Sequence, residues 1–329
     1  MSLSGGFKAG ALLLRAAPVL FLVLLALTFG ALSTRFLTLQ NLSTILVQSS
    51  WLIVLALGMN FVLLTAGVDL SVGSIMYLAA ITVGLGLNGA PVGVSILGAM
   101  ALGGAAGAIN GALIVRARVP AFIVTLSTLF IGRGLGLFLS STRIIYADPR
   151  IAGLGRSAYL GFSAPLWIAG LATMIAWLLF KHTALGYYVR SIGVDADGAR
   201  RVGVPVNAVT VGVYVLSGVG AGLGGFISLS QTSAASGAFG ENAEFLSIAA
   251  AVLGGTSLFG GRGSLLAPLI GAVLITTVQN GLALINANPY AYPVITGIVI
   301  FIAALMDSLK VGALARWTRR PATFKSTGA

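Results

Sequence analysis

Residues 16–33 read "AAPVLFLVLLALTFGALS", a run of eighteen residues without a charged side chain. About 20 consecutive apolar residues let an α-helix cross the hydrocarbon core of a bilayer. A second uncharged run, "PVITGIVIFIAALM", occupies residues 293–306. Both runs are continuously apolar and do not alternate apolar with polar residues, which excludes a transmembrane β-barrel. They predict helices that cross a membrane.

The composition of the whole chain supports this class. Of its 329 residues, 57% are hydrophobic and 8% are charged, whereas a soluble domain carries about 25% charged residues. The chain has no cysteine and one histidine, His182, which excludes a disulfide framework and any metal site built from several histidines or thiolates. We therefore predict an all-α, polytopic membrane protein that forms a single transmembrane domain over residues 1–329.

Apolar segments along the chain predict about ten membrane-spanning helices, several of them short or interrupted by glycine. Lys8 and Arg15 precede the first run, as in a signal peptide, but that run exceeds the usual 7–15 apolar residues and further spans follow, so it is read as a retained span. The predicted spans are 16–33, 42–66, 71–87, 92–115, 120–140, 164–181, 205–228, 245–260, 264–286 and 291–309.

The distribution of Lys and Arg predicts the topology. With ten spans and the N-terminus inside, fourteen of the nineteen Lys and Arg residues fall on the inner side, as the positive-inside rule requires for cytoplasmic termini. Loops 141–163 and 229–244 are then outside, and loop 182–204 is inside. The basic tail 310–329 is expected to meet anionic headgroups in the cytoplasm.

Glycine spacing predicts where helices pack closely. The 45 glycines include sets separated by four residues, a spacing that lets helix backbones approach each other in lipid. These sets are Gly103, Gly107 and Gly111; Gly132 and Gly136; and Gly218 and Gly222.

Enzyme motifs are absent from the sequence. There is no G-x-x-x-x-G-K-[ST] phosphate-binding loop, and there is no Ser–His constellation for nucleophilic catalysis. Asp195 and Asp197 have a spacing that holds a metal in some transferases, but Arg200 and Arg201 follow them, which favours a solvated surface helix. We predict no catalytic residue, no metal site and no cofactor bound by this chain.

Polar residues within or beside the predicted spans are expensive in lipid and are functional candidates. The candidates for a translocation pathway or gate are Asp69, Ser71, Asn110, Arg133, Gln279 and Asn280. Asp69 or Ser71 is also placed to cap the third span. An ion-coupled carrier usually needs membrane-embedded carboxylates, and Asp69 alone is available, so the sequence favours energy supplied by a separate ATPase.

Four segments together resemble the membrane subunits of ribose/xylose/arabinose-type ABC importers. They are "GVDLSVGSIM" (67–76), "NGALIVRARVPAFIVTLSTLFIGRGL" (110–135), "SIGVDADGARRVGV" (191–204) and "SIAAAVLGGTSLFGGRGSLLAPLIGAVL" (247–274). The resemblance covers about residues 42–308. It implies a fold like that of the vitamin B12 importer permeases, the type II ABC importers, in the bacterial cytoplasmic (inner) membrane.

The resemblance also implies partners. Two permease copies, identical or sister chains, form the pathway, and two ATP-binding domains, often fused in this family, carry ATP and Mg on the cytoplasmic side. A binding protein outside delivers a monosaccharide, a pentose, hexose or related polyol, which passes by alternating access. Related permeases for nucleosides, branched-chain amino acids or a furanosyl signal are the alternative. No nucleic acid is expected as a partner.

Two groups of residues receive roles from the resemblance. Within the inside loop 182–204, the ATPase-coupling residues are Gly193, Asp195, Asp197, Ala199, Arg200, Arg201 and Gly203. This segment departs from the usual family pattern, because Val194-Asp195 replaces Gly-Asn and the arginine pair makes it more basic. In the outside loops, the candidates for contact with the binding protein are Arg143, Arg150, Arg156, Glu241 and Glu244.

Overall fold

The protein was analysed as a computed structural model that describes the backbone of residues 5–302 and residue 305, and the side chains from Ala16 onward. Helices form most of this part of the chain. They are α1 (Gly5–Leu32), α2 (Leu39–Leu64), α3 (Val72–Gly86), α4 (Val92–Arg116), α5 (Ala121–Ser140), α6 (Pro149–Arg156), α7 (Ala164–His182), α8 (Leu185–Val194), α9 (Ala196–Arg201), α10 (Val206–Thr232), α11 (Ala243–Leu253), α12 (Ala267–Leu284) and α13 (Pro289–Ile302).

Each predicted span overlaps one of these helices, with differences at the ends. Six of them are long and apolar enough to cross a membrane, namely α2, α4, α5, α7, α10 and α12. Shorter apolar helices stand at the other four predicted positions, in α1, α3, α11 and α13. Residues 306–309 of the last predicted span and the basic tail 310–329 lie outside the described residues.

Helix α10 lies at the centre of the bundle and packs against α4 through glycines. A Cβ atom on Gly103 would overlap the carbonyl of Gly218, and one on Gly107 would overlap the carbonyl of Tyr214. Likewise, a Cβ on Gly222 would overlap the carbonyl of Ala99. The two backbones therefore touch, as the glycine spacing predicted.

Helix α5 packs against α3 in the same manner. A Cβ on Gly132 would meet Ser74 Oγ at 2.8 Å, and one on Gly136 would meet the ring of Tyr77 at 2.5 Å. The packing prediction for this glycine pair is confirmed. A Cβ on Gly225 of α10 would overlap the carbonyl of Met76 on α3, so α3 lies between α5 and the central α10.

Four two-residue strands stand at one end of the bundle, which the all-helical prediction did not include. β1 (Ile145–Tyr146) pairs antiparallel with β4 (Ala234–Ala235), and β2 (Ala158–Tyr159) pairs with β3 (Phe162–Ser163). The β1–β4 ladder joins the two loops that the charge count places outside.

The predicted inside segments meet at the opposite end. The N–H of Gly261 donates to the carbonyl of Leu64, the last residue of α2, at 3.0 Å. Gly193 of α8 lies against the same carbonyl. The contacts thus sort the loops into two ends of the bundle in the grouping that the charge count predicted.

Candidate functional site

The turn between α2 and α3 contains the fully buried Asp69. Its Oδ1 atom accepts hydrogen bonds from Ser71 N at 3.0 Å and from Ser71 Oγ at 2.5 Å. Ser71 is the N-cap residue of α3, but its side chain makes no capping bond. The prediction of a cap is therefore wrong for Ser71, whereas Asp69 accepts from the N–H of the N-cap residue itself. The carboxylate instead braces the turn that precedes the helix.

This turn is tied to two further helices. Asn110 Nδ2 of α4 donates to Ser71 Oγ at 2.9 Å, and Thr128 Oγ1 of α5 donates to Asn110 Oδ1 at 2.6 Å. The structure thus brings three candidate pathway residues, Asp69, Ser71 and Asn110, into one chain of hydrogen bonds. Thr128 was missed by the sequence analysis, because a threonine in a span commonly satisfies itself on its own helix and gives no signal.

Arg133 of α5 is a charged residue within a predicted span, where its guanidinium needs polar partners. Its Nη1 atom donates to the carbonyls of Gly237 at 3.2 Å and Phe239 at 2.7 Å, and its guanidinium lies 5.0 Å from the centre of the Tyr77 ring. The acceptors belong to the irregular segment 236–242 between β4 and α11. Irregular backbone at membrane depth is tolerated where protein groups form hydrogen bonds with its N–H and C=O groups. The guanidinium of Arg133 supplies such N–H donors to this segment.

Glu244 lies in the first turn of α11, beside this segment. It is 6% exposed, and within residues 5–302 its Oε2 atom has no hydrogen-bond partner. A Cβ on Gly73 would overlap this oxygen, so Glu244 packs against α3. Its side chain is inside the bundle, whereas Glu241 is exposed.

A polar cavity of about 630 Å³ lies between α2, α10 and α12. Gln279 and Asn280 both line it, as do Gln48 and Gln231 from the other two helices. Asn280 exchanges a reciprocal pair of amide hydrogen bonds with Asn41, at 2.9 and 3.0 Å. Five of the six predicted pathway residues therefore form two groups, one around Asp69 and one around this cavity, and Arg133 stands apart from both.

Loop 182–204, which the charge count predicts to be inside, contains two short helices, α8 and α9. Asp195 is the N-cap of α9 and its Oδ1 accepts from Asp197 N at 3.1 Å, so the D-x-D pair is used in helix capping. Among the residues that the structure describes, no group of three His, Cys, Asp or Glu side chains could hold a metal. Ala199 is buried, whereas Arg200 and Arg201 are exposed.

A family model described as the permease component of the branched-chain amino acid transport system matches residues 41–304. The chain belongs to this permease family. It is 37% identical to the ribose import permease RbsC of Escherichia coli, over 89% of this chain and 92% of that relative. It is 35% identical to the D-allose transport system permease AlsC of Escherichia coli, over 88% and 90% of the two chains.

A third relative is the autoinducer 2 import system permease LsrC of Yersinia pseudotuberculosis, 35% identical over 88% of this chain and 83% of the relative. No solved structure was found to match the chain. The resemblance drawn from the sequence motifs is confirmed at the level of the family, and the chain is a multi-pass membrane permease.

In the permease, an ion pair fixes the end of the bundle that carries the four short strands. Asp148, the N-cap of α6, accepts from Arg150 Nε at 3.0 Å and Arg150 Nη2 at 2.9 Å, and its Oδ2 accepts from Gly89 N at 3.0 Å. Hydrogen bonds from Arg150 hold the pKa of this carboxyl well below its usual range. Arg150 is half exposed, and Arg143 and Arg156 are exposed.

Proposed function

We propose that the permease is the membrane subunit of an ATP-driven importer that moves a monosaccharide from a binding protein into the cytoplasm. The observation that carries this proposal is the identity of 35–37% to permeases named for ribose and allose, over about nine-tenths of each chain. In the part of the chain that the structure describes, no charged residue lines the polar cavity between α2, α10 and α12, which supports a neutral solute. An amino acid would bring two charges that need partners.

The proposed membrane arrangement has ten spans and both termini in the cytoplasm. Six long apolar helices and four shorter ones support the number, and the excess of Lys and Arg at one end supports the direction. This arrangement is the one expected of the vitamin B12 importer permease fold. The membrane is the bacterial inner membrane.

The proposed docking surface for the ATP-binding subunit is formed by α8 and α9. Val194 and Val202 are 76% and 77% exposed, and the exposed Arg200 and Arg201 lie between them in sequence. Exposed apolar side chains with charged neighbours are typical of an interface. ATP and Mg belong to that partner, and a second permease copy or a sister chain completes the pathway.

The proposed coupling route starts at Gly193 and follows α2. Gly193 and Gly261 both contact the Leu64 carbonyl, so movement of α8 reaches the end of α2 and the turn at residues 65–71. That turn is bonded to α4 and α5 through Ser71, Asn110 and Thr128. A shift between two arrangements of this turn would open or close the inner end, which is the population shift that alternating access requires.

The proposed contact surface for the binding protein lies at the other end. Arg143, Arg156 and Glu241 are exposed there. About half of the Arg150 side-chain surface is also exposed to solvent. Glu244 faces the bundle interior and has no part in this surface.

Uptake measurements in lipid vesicles test the proposal. Vesicles carry this permease with its ATP-binding subunit and its binding protein, and accumulation of labelled D-ribose and D-allose is measured with and without internal ATP. Accumulation should need ATP, the ATP-binding subunit and the binding protein. Uptake that survives removal of the ATP-binding subunit would refute an ATP-driven importer. Since one relative is named for autoinducer 2, that furanosyl compound is the comparison substrate.

A further inference from the structure

The cavity between α2, α10 and α12, called the amide cavity below, is lined by neutral polar groups. Amide side chains come from Gln48, Gln231, Gln279 and Asn280, and hydroxyl groups such as that of Thr276 lie among them. Trp51 adds an aromatic ring. Among the described residues, no Asp, Glu, Lys, Arg or His lines this cavity.

The amides divide into two sets by their hydrogen bonds. Gln231 Nε2 donates to the carbonyl of Val47 at 2.6 Å, and Asn280 is paired with Asn41, so these two side chains are held in place. Gln48 and Gln279 make no side-chain hydrogen bond to the described part of the chain. The cavity thus has a fixed wall and two amides that are available to a ligand.

These groups match the chemistry of a neutral polyol. Each amide offers an acceptor oxygen and two N–H donors, which suits hydroxyl groups that both donate and accept. An indole ring offers a flat apolar surface for the C–H face of a sugar ring. A volume of about 630 Å³ lies within the range of about 300–1,000 Å³ that is typical of small-molecule sites.

The position of the amide cavity suits an early stage in the passage of a solute that enters from the outer end. Its lining residues come from the N-terminal half of α2 and the C-terminal parts of α10 and α12, together with Gly155 near the end of α6. These are the helix ends nearest the β1–β4 ladder and the outer loops. A solute released at that end would meet the cavity before it reached the turn at Asp69.

We propose that the amide cavity is a subsite for a neutral monosaccharide inside the permease, with Gln48 and Gln279 as its hydrogen-bonding residues and Trp51 as its apolar wall. The proposal rests on the proposed function, because it names where the sugar passes. It further assigns substrate discrimination to the membrane subunit, since a zwitterion finds no charged partner in the cavity.

Cysteine labelling tests the subsite directly, because the chain has no native cysteine. The variants Gln48→Cys and Gln279→Cys are compared with Gln40→Cys, an exposed glutamine of α2 outside the cavity. In the assembled importer, reaction with a water-soluble thiol reagent is timed with D-ribose, D-allose or L-leucine present. A sugar at a concentration equal to its dissociation constant should halve the rate at both cavity positions, and L-leucine should leave it unchanged.

Labelling rates at both cavity positions that are the same with and without either sugar would overturn the subsite. The subsite would also be overturned if L-leucine slowed labelling as much as the sugars do, or if the sugars slowed labelling of Gln40→Cys to the same extent. Wild-type uptake is measured in parallel. If uptake depends on ATP but the sugars do not slow thiol labelling, the subsite alone is refuted. If the sugars slow thiol labelling but uptake does not depend on ATP, the proposed function alone is refuted. The two failures are therefore distinguishable.

Transport by Gln48→Leu and Gln279→Leu gives a second readout. Each variant keeps the approximate side-chain size and removes the amide, so the KM for sugar uptake should rise about fivefold, the effect of losing one hydrogen bond. Gln40→Leu should behave as wild type. Variants of Gln48 and Gln279 that assemble normally and retain the wild-type KM contradict the proposal.

Discussion

Gly193, one residue before the end of α8, lies so close to the backbone carbonyl of Leu64 that a Cβ atom would overlap it. Leu64 is the last residue of α2, so the surface helices and the membrane bundle are joined at a backbone contact. A contact of this kind transmits a displacement with little loss, because no flexible side chain lies between the two elements.

Gly193→Ala should weaken the coupling of ATP hydrolysis to transport. The added methyl group forces α8 away from α2, so uptake should fall while ATP hydrolysis by the assembled importer continues. The measurement is the ratio of sugar transported to ATP hydrolysed. Gly212→Ala is the control, since a Cβ there meets nothing within 4 Å. An unchanged ratio for Gly193→Ala would show that this contact does not couple the two processes.

Charge reversal at Arg200 and Arg201 should prevent assembly with the ATP-binding subunit. Both side chains are exposed on α9, so their replacement by Glu leaves the membrane core intact and changes the docking surface. Co-purification with the ATP-binding subunit reports the effect. Arg35→Glu, an exposed change near the start of α2, is the control and should assemble normally. Wild-type recovery of the complex by the double variant contradicts the docking surface.

Asp69→Asn should retain ATP-driven uptake, whereas Asp69→Ala should lower stability. The Asn carbonyl oxygen can still accept from Ser71 N and Ser71 Oγ, but Ala leaves these buried donors unsatisfied at a cost of about 1–3 kcal/mol. Thermal unfolding in detergent and vesicle uptake are measured for both variants. Loss of uptake by a normally folded Asp69→Asn protein would instead indicate that Asp69 carries a proton or an ion.

Gly107→Ala should destabilise the bundle by about 1–3 kcal/mol, the usual cost of overpacking. The new methyl group overlaps the carbonyl of Tyr214, so α4 and α10 must separate. The matched control is Gly93→Ala on the same helix, where a Cβ meets nothing within 4 Å. The unfolding midpoints of the two variants are compared in one detergent, and equal midpoints would contradict the close packing.

Asp148 should make the end of the bundle that carries the four short strands sensitive to strong acid. Hydrogen bonds from Arg150 lower the pKa of Asp148 in the folded state. The contribution of Asp148 to folding stability is therefore complete above the ordinary Asp pKa of about 3.9. It is lost as the pH falls through the lower pKa of the folded state. The protection of Gly89 N against hydrogen exchange, measured relative to the intrinsic exchange rate at each pH, should be lost only at such low pH, because Gly89 N donates to Asp148. In Asp148→Ala this exchange should already be fast at pH 7, and protection there would show that another acceptor holds Gly89.

The sequence was sufficient for the positions of the six long apolar helices, because uncharged runs are a local signal, whereas α6 in the predicted loop 141–163 was not predicted. Helix ends were less predictable. The span predicted at 245–260 ends at Leu253, where Gly254 packs against the Ala267 backbone. The span predicted to end at 228 continues to Thr232, because Gln231 is satisfied by Val47 of α2.

The partners of the candidate residues could not be predicted, since they come from distant parts of the chain. Asp69 and Asn110 were recognisable as polar residues in apolar surroundings, but their connection through Ser71 depends on the packing of α3 against α4. Arg133 binds backbone carbonyls, which have no sequence signature. The roles predicted for these residues in a pathway or gate stay predictions.

The bond from Arg133 to Phe239 spans 106 residues of sequence, and this separation has a consequence for biosynthesis. A ribosome that adds about 5–20 residues per second needs about 5–20 seconds to make the intervening chain. During that interval the guanidinium has none of its final carbonyl acceptors. We expect nascent α5 to stay beside the insertion machinery, or near water, until segment 236–242 arrives. Arrested nascent chains that end before residue 236 should therefore crosslink to the machinery through α5, and longer ones should be released into lipid.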